Sequence, residues 1–234
     1  MKANKNKYFN IRTGRIEWSD TSNVNYEINV IKDKVPPIPS TTYFPLTNTS
    51  VNPVYGNTGN TGQSINGQSY IFIPNDGLYF DSPPTNFTTL FYNNNSINDP
   101  DISGWNVSNI TNMGTMFYRA TNFNQPLNWN VSNVTNMNSM FSRATNFNQP
   151  LGNWDVSNVT NMNNMFSYAY YFNQPLSLWN VSNVTDMISM FYSASNFNQN
   201  ISGWCVSNIP SPPNNFKYGS ALTVPNEPKW GTCP

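Results

Sequence analysis

"NWNVSNVTNMNSMFSRATNFNQPLGNWDVSNVTNMNNMF", residues 128–166, says nearly the same thing twice. Trp129 and Trp154 each open a phrase Trp-x-Val-Ser-Asn-Val, and Met, Phe and Asn return behind them at matching distances. Outward from this stretch, Trp105, Trp129, Trp154, Trp179 and Trp204 are separated by 24, 25, 25 and 25 residues, so the phrase is a repeat of about 25 residues. Its apolar positions in one unit are Val131, Val134, Met137, Met140, Phe141, Ala144, Phe147 and Leu151, and Phe117, Phe141, Phe166 and Phe191 are equivalent to one another.

The ends keep the frame in degraded form. Upstream, "TNFTTLFYNNNSINDPDISGW" places Phe87, Leu90, Phe91, Ile97 and Ile102 at core positions; downstream, Phe216, Gly219 and Leu222 follow suit, and Trp230 stands 26 residues after Trp204. The pattern predicts a repeat solenoid of about six coils over residues 85–234, four clean ones between two atypical caps, with 205–234 as the C-terminal cap. Each coil is expected to hold a short strand plus a short helix. Met137, Met140, Phe141 and Ala144 have the i, i+3, i+4, i+7 spacing of a helical turn, capped by Asn136 or Thr135. The segments around "FNQPL" and "WNVSN" read as strand, although Pro126, Pro150 and Pro175 would each delete a ladder donor.

Stacked coils turn each recurrent residue into a column, with neighbours about 4.8 Å apart. Trp105, Trp129, Trp154, Trp179, Trp204 and Trp230, with the Met and Phe positions, are then core. Asn109, Asn133, Asn158, Asn183 and Asn208 form one polar column and Asn124, Asn148, Asn173 and Asn198 another, their amides both donating and accepting.

The phrase "WNVSNVTNMNSMFSRATNFNQPL" (129–151) and its copies resemble the repeat of the BspA-like leucine-rich-repeat surface proteins, known also from Mycoplasma lipoproteins, environmental bacteria and some large viruses. The resemblance covers about residues 85–234 and implies a curved leucine-rich-repeat-like solenoid on a cell or particle surface, serving adhesion or assembly. "WCVSNIP" to "WGTCP" looks like the C-terminal cap of such proteins. The resemblance brings no catalytic residues, and the N-terminus lacks the lipid-attachment Cys of the bacterial members.

Cys205 follows Trp204 by one residue and Cys233 follows Trp230 by three, so stacked Trp residues would put both Cys on adjacent coils, within the reach of a disulfide. Such a bridge suits an extracellular or virion setting.

Composition narrows the function. The chain has 11 basic and 11 acidic residues and no His, so its net charge of zero suggests no nucleic-acid partner, and the commonest general base and metal ligand are missing. Asp99 and Asp101 read as turn formers around Pro100 rather than a catalytic pair, and no phosphate loop, calcium loop or nucleophile elbow is present. No enzymatic activity, cofactor or metal is expected. No stretch approaches the roughly 18 apolar residues of a membrane span, so membrane insertion is not expected either.

Residues 1–84 read as an N-terminal extended arm: a basic start with Lys2, Lys5, Lys7, Arg12 and Arg15, a Pro-rich "VPPIPSTTYFPL", and a hairpin in "SYIFIPNDGLYF" turning at Asn75, Asp76 and Gly77. Such an arm suits lacing against other subunits of an assembly. The start lacks the apolar run of a secretory signal, which favours a particle assembled inside a cell.

Core demands do not fix the positions that vary between coils. Tyr118, Arg119, Arg143, Tyr168, Tyr170, Tyr171 and Tyr192 follow the Met-Phe element and are the candidate binding face, for Tyr and Arg anchor interfaces and aromatic faces stack on sugars. Asn-x-Ser/Thr sequons such as Asn130 and Asn158 follow from the repetition itself. The expectation is a non-enzymatic structural or attachment component of an extracellular assembly, first a virion protein (capsid, fibre or tail) anchored by residues 1–84; the alternative is a surface adhesin binding a host receptor or glycan.

Overall fold

The computed structural model describes residues 85–95, 97–98 and 100–234, and before them five strands: β1 (Lys5–Asn10), β2 (Arg15–Asp20), β3 (Gln63–Ile65), β4 (Gln68–Ile73) and β5 (Gly77–Phe80). The strands form one antiparallel sheet in the order β2-β1-β5-β4-β3. The segment read as a hairpin supplies β4 and β5, which pair from Tyr70↔Phe80 to Ile73↔Gly77. A second pair, β1 with β2, joins β5 through Phe9↔Phe80 and Asn10↔Tyr79, where the sequence suggested only an extended arm. The signal was the aromatic and β-branched residues set among polar ones, Tyr8 and Phe9 in "KNKYFN" and the alternating Ile16 and Trp18 in "RIEWSD". The Pro-rich segment, Asn75 and Asp76 lie outside the described residues.

From residue 85 each repeat lies in register on the next. Parallel bridges join Asn86 to Asn112, Asn112 to Asn136, Asn136 to Asn161, and Asn161 to Asp186. Apart from 3-10 turns at Pro100–Gly104 and Val224–Asn226, these residues form no regular helix. The helical turn expected at Met137–Ala144 is replaced by a run of tight turns.

The hydrogen bonds explain the replacement. The N–H groups of Met137, Ser139, Phe141 and Arg143 donate across to Asn161, Asn163, Met165 and Ser167 of the next repeat, at 3.0, 2.8, 3.0 and 2.7 Å. Between them, Met140, Ser142 and Ala144 donate to the carbonyls three residues back, at 3.2, 3.1 and 3.0 Å. A helix would direct all these donors along its own axis, whereas here every second one ties repeats together. The first and last of these turns, four residues apart, place a positive φ at their third residue, Ser139 (52°) and Arg143 (61°). Because the turns recur every four residues, Met137, Met140, Phe141 and Ala144 all point inward at the spacing of a helix face, and all are fully buried. Asn136 does not cap a helix; its Oδ1 accepts from the Asn138 N–H at 3.0 Å while its backbone makes the parallel bridge.

Strand pairing is absent from "FNQPL" and "WNVSN" as well, because side chains carry the contact there. Oδ1 of Asn98, Asn124, Asn148, Asn173 and Asn198 accepts the backbone N–H of Asn124, Asn148, Asn173, Asn198 and Thr223 in turn, at 3.1, 2.9, 2.9, 3.1 and 3.0 Å. With asparagine carrying the ladder, the missing N–H of Pro126, Pro150 and Pro175 breaks nothing. The other predicted column works in the opposite sense: Nδ2 of Asn133, Asn158, Asn183 and Asn208 donates to the carbonyls of Ser108, Ser132, Ser157 and Ser182, each at 2.7 Å.

Inside run the aromatic columns. Phe117, Phe141, Phe166 and Phe191 stack at 5.5, 5.7 and 5.7 Å; Phe123, Phe147, Phe172 and Phe197 at 5.7, 6.0 and 5.9 Å. In the Trp column, Trp105–Trp129, Trp129–Trp154 and Trp179–Trp204 stack at 6.5, 6.4 and 6.3 Å. Each such pair adds about 0.5–1.5 kcal/mol beyond its buried area. The indole N–H of Trp129, Trp154, Trp179 and Trp204 donates to the carbonyl of Ile102, Leu127, Leu151 and Leu176 on the preceding repeat, at 2.8, 3.0, 2.9 and 2.9 Å. A buried indole needs such an acceptor, and this one fixes the register of the stack.

Trp230 does not prolong the Trp column. It packs edge-on against Phe216, 4.8 Å away at 83°, and its Nε1 is buried without a partner. Here the chain doubles back: Val206 donates to the Thr232 carbonyl and Gly231 to that of Ile209, at 2.8 and 2.9 Å, and a disulfide joins Cys205 to Cys233. Lys217 pairs with Glu227 across this terminal coil.

Candidate binding groove

The four-residue rhythm of turns places Asn93, Arg119, Arg143 and Tyr168 at equivalent positions, with φ of 58, 57, 61 and 56°. Two residues further on stand Asn95, Thr121, Thr145 and Tyr170. These eight line a single open groove of about 380 Å³ that runs along the stacking direction across four repeats. Four of the seven residues singled out from sequence, Arg119, Arg143, Tyr168 and Tyr170, are in it. Tyr118, Tyr171 and Tyr192 are not.

The outsiders Tyr118 and Tyr192 still shape its wall. The Arg119 guanidinium lies 5.4 Å from the Tyr118 ring centre, and that of Arg143 lies 4.2 Å over Tyr168. Tyr168 meets Tyr192 edge to face at 5.2 Å and Tyr170 at 6.1 Å. A hydrogen bond with Tyr168, together with the closeness of that phenol, pushes the Tyr192 hydroxyl above its ordinary pKa. Tyr92 stacks on Tyr118 at 4.8 Å and Tyr192 on Tyr218 at 5.5 Å, so phenol rings flank the groove at both ends. Tyr171 is 58% exposed, outside the groove, with its N–H donating to the Thr145 carbonyl.

The second wall is held by its own hydrogen bonds. The Thr121 hydroxyl donates to Asn95 Oδ1 at 2.9 Å, and the Thr145 hydroxyl to the Thr121 carbonyl at 3.3 Å. Asn93, Asn95, Thr121 and Thr145 were missed because they are small polar residues in a chain full of them. Their position two residues from, or in column with, the variable Arg and Tyr was the available signal.

Charge in the groove is one-sided. Among the described residues neither Arg119 nor Arg143 pairs with a carboxylate, the ion pair there being Lys217 with Glu227. The acidic residues that replace repeat asparagines are engaged elsewhere. Asp186 accepts from Asn163 Nδ2 at 3.0 Å and from the Ile188 N–H at 2.9 Å. Hydrogen bonds from Ser157, by its hydroxyl and then its N–H, hold the Asp155 carboxyl below the usual range. Among the described residues no group of three or more His, Cys, Asp or Glu is gathered to hold a metal, and no helix is long and apolar enough to cross a membrane.

A family described as a Mycoplasma protein of unknown function, DUF285, matches residues 85–204 and 127–230, the span of the stacked repeats. No curated protein and no solved structure matches the chain.

Proposed function

We propose, for a chain that belongs to the DUF285 family, that residues 85–234 form a capped leucine-rich-repeat-like solenoid acting as a non-enzymatic attachment element on an extracellular surface, cell or particle. One observation supports this most: the inward columns and the two hydrogen-bonding Asn files repeat the same residues, while the columns that line the groove run Asn, Arg, Arg, Tyr and Asn, Thr, Thr, Tyr. A scaffold serving only as a spacer has no use for that divergence. Beads coated with the full chain should adhere to intact target cells saturably and be displaced by free chain; adhesion that never saturates, or none, would sink the attachment reading.

A second reading has its own support. Among the described strands β2 and β3 stand at the two ends of the sheet, and edge strands are where another chain can add. As a virion capsid, fibre or tail component, the protein would be joined to other subunits there. Limited proteolysis of the purified chain beside native source material, with the cuts mapped by mass spectrometry, checks it. Protection of residues 1–84 only in the native material supports assembly, and equal cutting in both removes it.

A further inference from the structure

We propose that the groove between the Arg119 and Thr121 columns binds an acidic polysaccharide, a chain of pyranose rings bearing carboxylate or sulfate groups. The inference rests on the attachment reading and names its ligand class.

Charge comes first. Arg119 and Arg143 stand on adjacent repeats, about 4.8 Å apart along the stack by the ordinary spacing of paired strands. Two like charges so placed repel, and among the described residues no carboxylate answers them. Each guanidinium is nonetheless oriented, Arg119 by Tyr118 and Arg143 by Tyr168. Little freedom remains to be lost when an anion takes the fork of donors. The backbone beneath them is also costly: a side chain with φ near +60° is less stable than glycine by about 1–2 kcal/mol. The same column ends in Asn93 and Gly219, residues that tolerate this conformation, yet places Arg119, Arg143, Tyr168 and Ser193 between them.

The remaining lining selects among anions. Tyr170 is 40% exposed and offers a ring to the floor of an open groove, while Asn93, Asn95, Thr121 and Thr145 present amides and hydroxyls. Guanidinium, amide, hydroxyl and an aromatic face are the groups that hold an acidic sugar. An acidic peptide fits less well. The N–H groups of Arg119, Thr121, Arg143 and Tyr168 already donate to Ser142, Arg119, Ser167 and Tyr192, leaving none of these four for strand addition. A nucleic acid would need a broader positive field than a chain of zero net charge supplies.

The test is titration of the full chain with four probes of equal length: an oligogalacturonate, a sulfated glycan oligomer, the neutral galactan counterpart, and polyglutamate. Expected is binding of one or both acidic glycans, at least tenfold weaker binding of the neutral oligomer and of polyglutamate, and at least a tenfold loss in the double variant Arg119→Ala, Arg143→Ala with its thermal midpoint unchanged. If that variant unfolds, Tyr170→Ala takes its place, with a several-fold loss for the acidic glycans. Which acidic glycan binds more tightly tells carboxylate from sulfate. Equal binding of polyglutamate, equal binding of the neutral oligomer, or no glycan binding overturns the proposal. Cell adhesion that persists without glycan binding removes this inference alone; loss of both removes the attachment reading too.

Discussion

Two sets of columns run through the same repeats and obey opposite rules. The inner set holds Trp, Met, Phe and two files of Asn almost without variation, because each residue has a copy of itself as its neighbour and must match it in shape and hydrogen bonding. The groove set has neighbours on one side and open space on the other, so it is free to carry Asn, Arg, Thr and Tyr in turn. In a stack, uniformity therefore measures packing demand, and departure from it marks where another constraint can act.

The inner set should be the harder to alter. Phe141 is fully buried between Phe117 and Phe166 and lies 4.1 Å from Phe147 within its own repeat. Phe141→Ala is expected to cost about 3–5 kcal/mol, read as a lowered midpoint of denaturant unfolding. Arg143→Ala, in the groove set, should stay within about 0.5 kcal/mol, as surface changes usually do. A comparable loss at both positions would erase the distinction between the sets.

A finer contrast lies within the inner set. Asn158 donates through Nδ2 to the Ser132 carbonyl, whereas Asn148 accepts through Oδ1 from the Asn173 N–H and from Gln174. An Asp keeps an acceptor and loses the donor. Asn158→Asp should thus cost about 0.5–1.5 kcal/mol at neutral pH, by setting a solvent-screened carboxylate against a carbonyl, and Asn148→Asp less than that. Equal thermal midpoints for the two variants would show that the direction of these bonds does not matter.

That contrast also shows what the sequence could reveal. The repeat, the core columns and the Asn files were legible because stacking makes each position see itself, so recurrence in the chain becomes recurrence in space. The local conformation was not legible: turns recurring every four residues bury Met137, Met140, Phe141 and Ala144 with the spacing of a helix face, and hydrophobic pattern alone cannot separate the two. What separates them is the destination of the backbone N–H groups, which lies a repeat away. Likewise Arg119, Arg143, Tyr168 and Tyr170 stood out as variable, while the small polar Asn93, Asn95, Thr121 and Thr145 join them in the groove only through the stacking of the repeats.

Backbone conformation supplies a smaller test. Thr115 is β-branched and holds a φ of 55°, in a column with Ser139 (52°) and Asn164 (55°). Thr115→Gly relieves about 1–2 kcal/mol of conformational cost and gives back roughly half through the freedom of the unfolded chain. A net gain of roughly 0.5–1 kcal/mol in unfolding free energy is expected by that balance. A loss would mean that the Thr115 hydroxyl, which reaches the Gly114 carbonyl at 2.7 Å, contributes more than the backbone costs.

The smallest effect belongs to a place where charge has entered a uniform column and changed almost nothing. Asp155 occupies the position of Asn106, Asn130 and Asn180, and all four accept the N–H two residues ahead, at 3.1, 3.1, 3.1 and 3.2 Å for Asp155, Asn106, Asn130 and Asn180. Its carboxyl is held below the usual carboxylate range by the bonds from Ser157, so the folded protein favours the ionised form. That preference stabilises above the unfolded-state pKa and is lost as pH falls through the lower, folded-state value. Because the group is exposed, solvent screens most of the benefit. Asp155→Asn keeps the accepting oxygen and should leave the unfolding midpoint at pH 7 within measurement error. The variant should differ from the parent only by a shallower decline in stability below about pH 4, near the reference range of the carboxylate. A clear loss at pH 7 would mean that the charge, rather than the shape shared with its asparagine neighbours, holds this turn.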